Sequence, residues 1–290
     1  MAFEPEELEG VVRDIVAKVG NFVEEKMRAI YLAGRLNQLD EDDALQVMQT
    51  ICERASQRIP EYIRAVMALV DIDTLTRIMG QKKVRRLYIE SRKREYSELA
   101  RILSNESPAK KYEGENEMFF QYGMTDKLLG HRKYLARKPD PVLIDKLSYD
   151  LDPLVVRDLL RNPMLTERQV VKIAARRPNK PEILEEIFNN PRWVARYQVK
   201  LALAHNPYTP PRIAVGLLVF LTEHDIMEIA CDMSLHEDVR RQARAILKSR
   251  KIEVKQEDKP RRRGFQMYHI DLDKATIEPL EEADSEADEW

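Results

Sequence analysis

Residues 82–94 hold seven cations, Lys82, Lys83, Arg85, Arg86, Arg92, Lys93 and Arg94, with Tyr88 inside the run and Tyr96 just beyond it. Clustered cations on a helix suit phosphate oxygens, and interleaved aromatics can stack on bases. The chemistry on offer is contact with a polyanion. Glu90, Glu95 and Glu98 lie among the cations at spacings that allow pairing along the helix. A solvated face, neutralised from within, is the plainer reading of the same residues.

A second set is Arg157, Arg161, Arg168, Lys172 and Arg176, followed by Arg177. Its members recur close to one helical turn apart, so part of the charge should share a face. Such a face suits an acidic or helical protein ligand. A third set, His224, Glu228, Cys231, Asp232 and His236, assembles a metal site on paper, because His224 and Glu228 stand at i, i+4. Ile226, Ile229 and Ala230 run through the same stretch as ordinary core, and Cys231 reads as a small buried hydrophobe. No metal or other cofactor is expected. Glycine-rich phosphate loops, a G-x-S-x-G elbow and H-E-x-x-H are missing, so a non-catalytic role is expected.

The elements that must position these residues read as helices. In 290 residues there are 9 glycines, 43% apolar residues and 34% charged ones, with no alternating β-branched run. This composition argues for an all-α protein. Cys52 and Cys231 are too few and too far apart for a disulfide framework. The N-terminus is acidic and no apolar stretch approaches a membrane span, so a soluble, cytoplasmic protein is expected.

Residues 1–104 read as an N-terminal helical bundle. Leu8, Val11, Ile15, Val19, Phe22, Val23, Met27 and Ile30 mark one core-facing stripe from Glu6 to Leu36. Asp40 offers an N-cap, Pro60 a first-turn proline and Gly80 a stop. A single longer helix is expected from Lys82 to Leu103. Residues 105–127 read as a linker or crossover, with Met118, Phe119, Phe120 and Tyr122 as a docking cluster. Residues 250–290 read as a disordered charged tail. It carries a basic run at 259–263 and the acids Glu281, Glu282, Asp284, Glu286, Asp288 and Glu289 before Trp290. An acidic tail folding back on 82–94 would compete with an anionic ligand there.

Between them, residues 128–249 restate one phrase: an Asp-Pro or Asn-Pro corner and then a short apolar helix. Corners fall at Asp140-Pro141, Asp152-Pro153, Asn162-Pro163, Lys180-Pro181, Asn190-Pro191 and Asn206-Pro207. Proline ends one helix and starts the next. Asn162 and Asn206 stand 44 residues apart, a period expected of stacked helical units. A third, weaker unit begins at Asp238-Val239-Arg240. The phrases around Val155-Arg157 and Asn206-Pro207-Tyr208-Thr209-Pro210 resemble the leucine-rich repeat variant family and, more distantly, HEAT-like repeats.

The resemblance implies an α-solenoid that binds a partner. It also raises the iron–sulfur module of the variant-repeat family, for which this chain lacks the cysteine cluster, and the DNA glycosylases built on HEAT-like repeats. The latter use a tryptophan and an aspartate on a basic surface, and Trp193 between Arg192 and Arg196 is the residue to inspect. The preferred reading of Trp193 is a plug between repeats. The expected ligand is an acidic or helical protein, and nucleic acid is the alternative, using residues 82–94 and the solenoid face together.

Overall fold

The computed structural model describes residues 4–114, 124, 126–250, 269–270 and 277–278. The described residues between 4 and 250 fold as helices joined by turns. The only other regular structure described is a two-residue antiparallel pairing of His269–Ile270 with Ile277–Glu278. The disorder expected of 250–290, and its basic and acidic runs, otherwise lie outside the described residues. So do Met118, Phe119, Phe120 and Tyr122.

The first seven helices are α1 (Pro5–Asn21), α2 (Glu25–Gln38), α3 (Glu41–Ser56), α4 (Pro60–Val70), α5 (Ile72–Met79), α6 (Gln81–Lys93) and α7 (Ser97–Leu103). Local chemistry sets their ends. The Asp40 side chain accepts from Asp43 N at 2.8 Å, and Asp71 accepts from Thr74 N at 3.1 Å. Gly80 stops α5 with φ +82°, a conformation that suits a residue without Cβ.

Two expected helices are each broken in two. The stripe from Glu6 to Leu36 divides at Phe22–Glu24, where Phe22 and Glu24 are extended and Val23 is 90% exposed. Arg28 Nε donates to Phe22 O at 2.8 Å, and the rings of Phe22 and Tyr31 lie 5.4 Å apart, which holds the corner. The stretch 82–103 breaks at Arg94–Tyr96, where Glu95 takes φ +59°. The break lets α7 turn inward and bury Leu99, Ile102 and Leu103.

Ten further helices are described in 126–250: α8 (Leu129–Ala136), α9 (Pro141–Leu147), α10 (Pro153–Leu160), α11 (Glu167–Ala175), α12 (Pro181–Phe188), α13 (Pro191–Val194), α14 (Tyr197–Ala204), α15 (Pro211–Leu218), α16 (Glu223–Cys231) and α17 (Glu237–Ser249). Four of them, α9, α10, α12 and α13, begin on the proline of an expected corner; the Asn162-Pro163 and Asn206-Pro207 corners instead lead through a turn, and the helices after them start at Glu167 and Pro211.

Inside the corners the asparagines act as bridges. Asn162 Nδ2 donates to Ala136 O and Lys138 O, each at 2.8 Å, while its Oδ1 accepts from Met164 N at 3.0 Å. Asn206 repeats this, donating to Ala174 O at 2.6 Å and Arg176 O at 3.0 Å and accepting from Tyr208 N at 3.0 Å. Each buried amide thus satisfies the end of an earlier helix and its own turn together. A third corner stands at Asp232, whose Oδ1 accepts from Ser234 N at 2.9 Å without any proline.

One continuous core runs from Val12 to Leu247, and residues 1–254 form one compact unit. The join is made by α15, which packs against α4 and α7 on one side and α14 and α17 on the other. Its Ile213, Ala214, Val215, Gly216, Leu217 and Leu218 are all buried. A Cβ on Gly216 would fall 2.2 Å from Val70 Cγ2, so the approach of α15 to α4 requires glycine. Arg101 Nη1 donates to Gln242 Oε1 at 2.6 Å, and Arg250 Nε to Ser56 O at 3.2 Å, across the same seam. Ser56 Oγ also donates to Glu98 Oε2 at 2.7 Å. Burial raises the Glu98 carboxyl to about 7.

Candidate binding surfaces

On α6 most of the expected cations are turned to the protein itself. Lys83 Nζ donates to Leu36 O and Asn37 O, each at 3.1 Å, and to Leu39 O at 2.7 Å, closing the C-terminus of α2. Arg86 pairs with Glu41 at 2.9 Å and Lys93 with Glu90 at 2.6 Å. Arg94 pairs with Asp42, and Arg92 donates to Tyr88 Oη at 3.3 Å. Only Lys82 and Arg85 of the seven carry no ion pair or hydrogen bond among the described residues, and both are exposed. The internal neutralisation read from the sequence is present through Glu90. Most of it, however, comes from α2 and α3 rather than from α6.

The second set of cations does not form one helical stripe. Arg157 lies on α10, Arg161 in the turn after it, and Arg168 and Lys172 on α11, with the Asn162 corner between the two helices. Arg157 pairs with Glu186 of α12, which holds its guanidinium above its ordinary range. Lys172 Nζ sits 4.8 Å from the centre of the Tyr149 ring, a cation–π contact. Arg161 and Arg168 are exposed.

Arg176 is turned inward. Its Nη1 donates to Ser148 O at 3.0 Å, and its Nη2 reaches Asp150 O at 3.2 Å and Asn179 Oδ1 at 3.3 Å. It therefore ties α11 to the turn after α9 instead of facing a ligand. Asp150, the nearest carboxylate, is held by Arg132 at 2.5 Å. Burial without a carboxylate of its own lowers Arg176 to about 10. Arg177 donates to His205 O.

Trp193 is 2% exposed, and its Nε1 donates to Leu160 O at 2.8 Å. It fills the gap between α10 and α13, with the Arg192 guanidinium 4.2 Å from its ring centre. A tryptophan held this way presents no face to a nucleobase.

The paper metal set is only partly gathered. His224 Nε2 lies 3.3 Å from Glu228, and His205 Nε2 lies 3.9 Å from the other oxygen of the same carboxylate. His236 is drawn elsewhere: its Nδ1 accepts from Asp238 N at 3.2 Å and caps α17. His236, Asp238 and Glu106 form the one described group with metal-ligating atoms close together. Glu106 stands far from the other two in sequence, so no spacing announced it.

A different feature escaped the sequence reading. Large apolar side chains are exposed in a concentrated stretch: Leu128 at 83%, Tyr134 at 55%, Val142 at 63%, Leu154 at 38% and Met164 at 46%. Leu128, Val142 and Leu154 stand at the starts of α8, α9 and α10. The signal was present as an apolar residue just before or just after a helix start, where a polar one is usual. No helix among the described residues is long and apolar enough to cross a membrane. Compared with protein-family models, with curated proteins and with solved structures, the chain matches none of them.

Proposed function

We propose that this protein is a non-catalytic, cytoplasmic binding module. Its variant or HEAT-like helical repeats hold a protein partner on the α8–α11 side. The observation that carries the reading is the set of exposed apolar side chains between Leu128 and Met164, with exposed Lys146 and Arg161 along the same residues. Apolar anchors inside a charged border are what a protein interface uses. Exposed Lys138, Lys146 and Arg161 outnumber the exposed Asp145 there, so the favoured partner is an acidic segment, and an amphipathic helix supplies apolar and acidic groups together.

This reading is favoured over nucleic-acid binding because α6, the strongest polyanion candidate, applies most of its cations to α2 and α3. The test is capture of partners from lysate by the full chain and by a Leu128→Asp/Val142→Asp/Leu154→Asp variant, with nuclease and a high-salt wash. A protein retained by the parent and lost by the variant supports the module. Material that leaves with nuclease or salt from both chains alike overturns it.

A further inference from the structure

Where the segment after α7 crosses the repeats, it closes a cleft of about 420 Å³ over the first residues of α10 and α12. Lys110 N donates to Pro207 O at 3.1 Å, which pins the crossing segment beside the Asn206 corner. The cleft is lined by Lys110, Lys111 and Lys180, by the ring of Tyr112, and by Pro153 and Pro181. Glu182 is the single acid on the lining, and none of the three lysines has a carboxylate partner among the described residues. Lys180 Nζ stands 5.5 Å from the Tyr112 ring centre.

Two further donors are left over close by. The Tyr112 hydroxyl is buried with no hydrogen-bond partner, and so is Nε of Arg176. The Arg176 charge acts on Tyr112, and Arg176 meets carbonyl and amide oxygens but no carboxylate. The start of α12 also lacks a side-chain cap, so the positive end of that helix adds to the same field.

We infer that this cleft binds a small phosphorylated compound, its phosphoryl oxygens held by Lys110, Lys111 and Lys180 and its organic part seated on Tyr112 and the prolines. Ammonium groups arriving from separate backbone segments suit a tetrahedral, doubly charged oxyanion, whereas a planar carboxylate is matched best by the fork of an arginine. The volume lies in the range of small-molecule sites, and the mixed lining of point charges and apolar walls is usual for one. The cleft meets the stretch at 128–164 only through Pro153, and its charged groups come from 110–111 and 180. A chain without protein partners would still bind the compound.

The test is calorimetric titration of the full chain at low ionic strength, with inorganic pyrophosphate as the probe. The expected result is saturable binding of one equivalent. Lys110→Ala or Lys180→Ala should weaken it about tenfold, the loss of one charge-assisted contact. Tyr112→Phe should weaken it less, and Lys82→Ala on α6 should leave it unchanged. Because Lys110 is exposed, its variant keeps the test usable if Lys180→Ala loosens the fold. No saturable binding overturns the inference, and so does binding that falls as much with Lys82→Ala as with the cleft variants.

Discussion

The Asn162 and Asn206 corners make the same bridge, yet the helices that follow them live in different surroundings. After Asn206 comes α15, apolar apart from Arg212, which pairs with Glu185, and enclosed by α4, α7, α14 and α17. After Asn162 comes α11, where only Val170, Ile173 and Ala174 are buried and the outer face is charged. Pro163, Met164 and Thr166 of the first corner are exposed, whereas in the second Pro207 and Pro210 are buried, Tyr208 is half-buried and Thr209 donates its hydroxyl to Leu203 O at 2.7 Å. One local rule therefore builds both corners of the 128–249 region. Packing against the bundle makes the end near α15 the rigid one and leaves the α8–α11 end available for contacts.

The sharpest way to break this contrast is at Gly216. Gly216→Val should cost about 4 kcal/mol, because the new side chain meets Val70 and neither helix can retreat. Gly34→Ala on α2, where a Cβ meets nothing within 4 Å, should instead stabilise by about 0.5 kcal/mol. Chemical denaturation of the two variants checks both signs. An unchanged midpoint for Gly216→Val would remove α15 from its role as the join.

Next come the bridges. Asn206→Ala leaves two carbonyls unmet beside the core and should cost about 3 kcal/mol of global stability. Asn162→Ala should cost about 2 kcal/mol, because fewer elements surround it. Hydrogen exchange should localise the Asn162→Ala opening to 129–175, while Asn206→Ala should loosen the bundle as well. Equal and global opening by both would erase the difference between the two ends.

A smaller effect is tied to pH where α3 and α7 meet α17. The folded-state value of Glu98 is raised to about 7 from its ordinary 4.5. The folded protein therefore keeps a proton that the unfolded chain releases, and stability falls as pH rises from 4.5 through about 7. Thermal midpoints of the parent should decline over that window, and Glu98→Gln should flatten the slope. Least of all, Lys83→Ala should cost about 1 kcal/mol through the lost closure of α2, and Lys82→Ala close to nothing.

Four of the proline corners, the cap at Asp40 and the stop at Gly80 were legible because each depends on residues a few positions apart. The breaks at Phe22–Glu24 and Arg94–Tyr96 were not: the apolar stripe runs through the first, and the charged run before the second carries no proline or glycine to mark a stop. Counting cations on residues 82–94 likewise overstated their availability. Lys83 reaches carbonyls at 36–39 and Arg94 reaches Asp42, partners that no local spacing discloses. The stripe from Arg157 to Arg176 failed for a related reason: the Asn162 corner divides it, and Arg176 finds its acceptors at 148–150. The cleft at Lys110 and Lys180 joins segments seventy positions apart and had no signature in either.

Because α15 completes the bundle, synthesis order matters. As the chain leaves the ribosome, α4 and α7 emerge long before Pro211–Leu218 and must wait with the apolar groove around Val70 uncovered. A nascent chain arrested before Pro211 should bind a dye for exposed apolar surface and recruit chaperones. One arrested after α17 has cleared the exit tunnel should do neither.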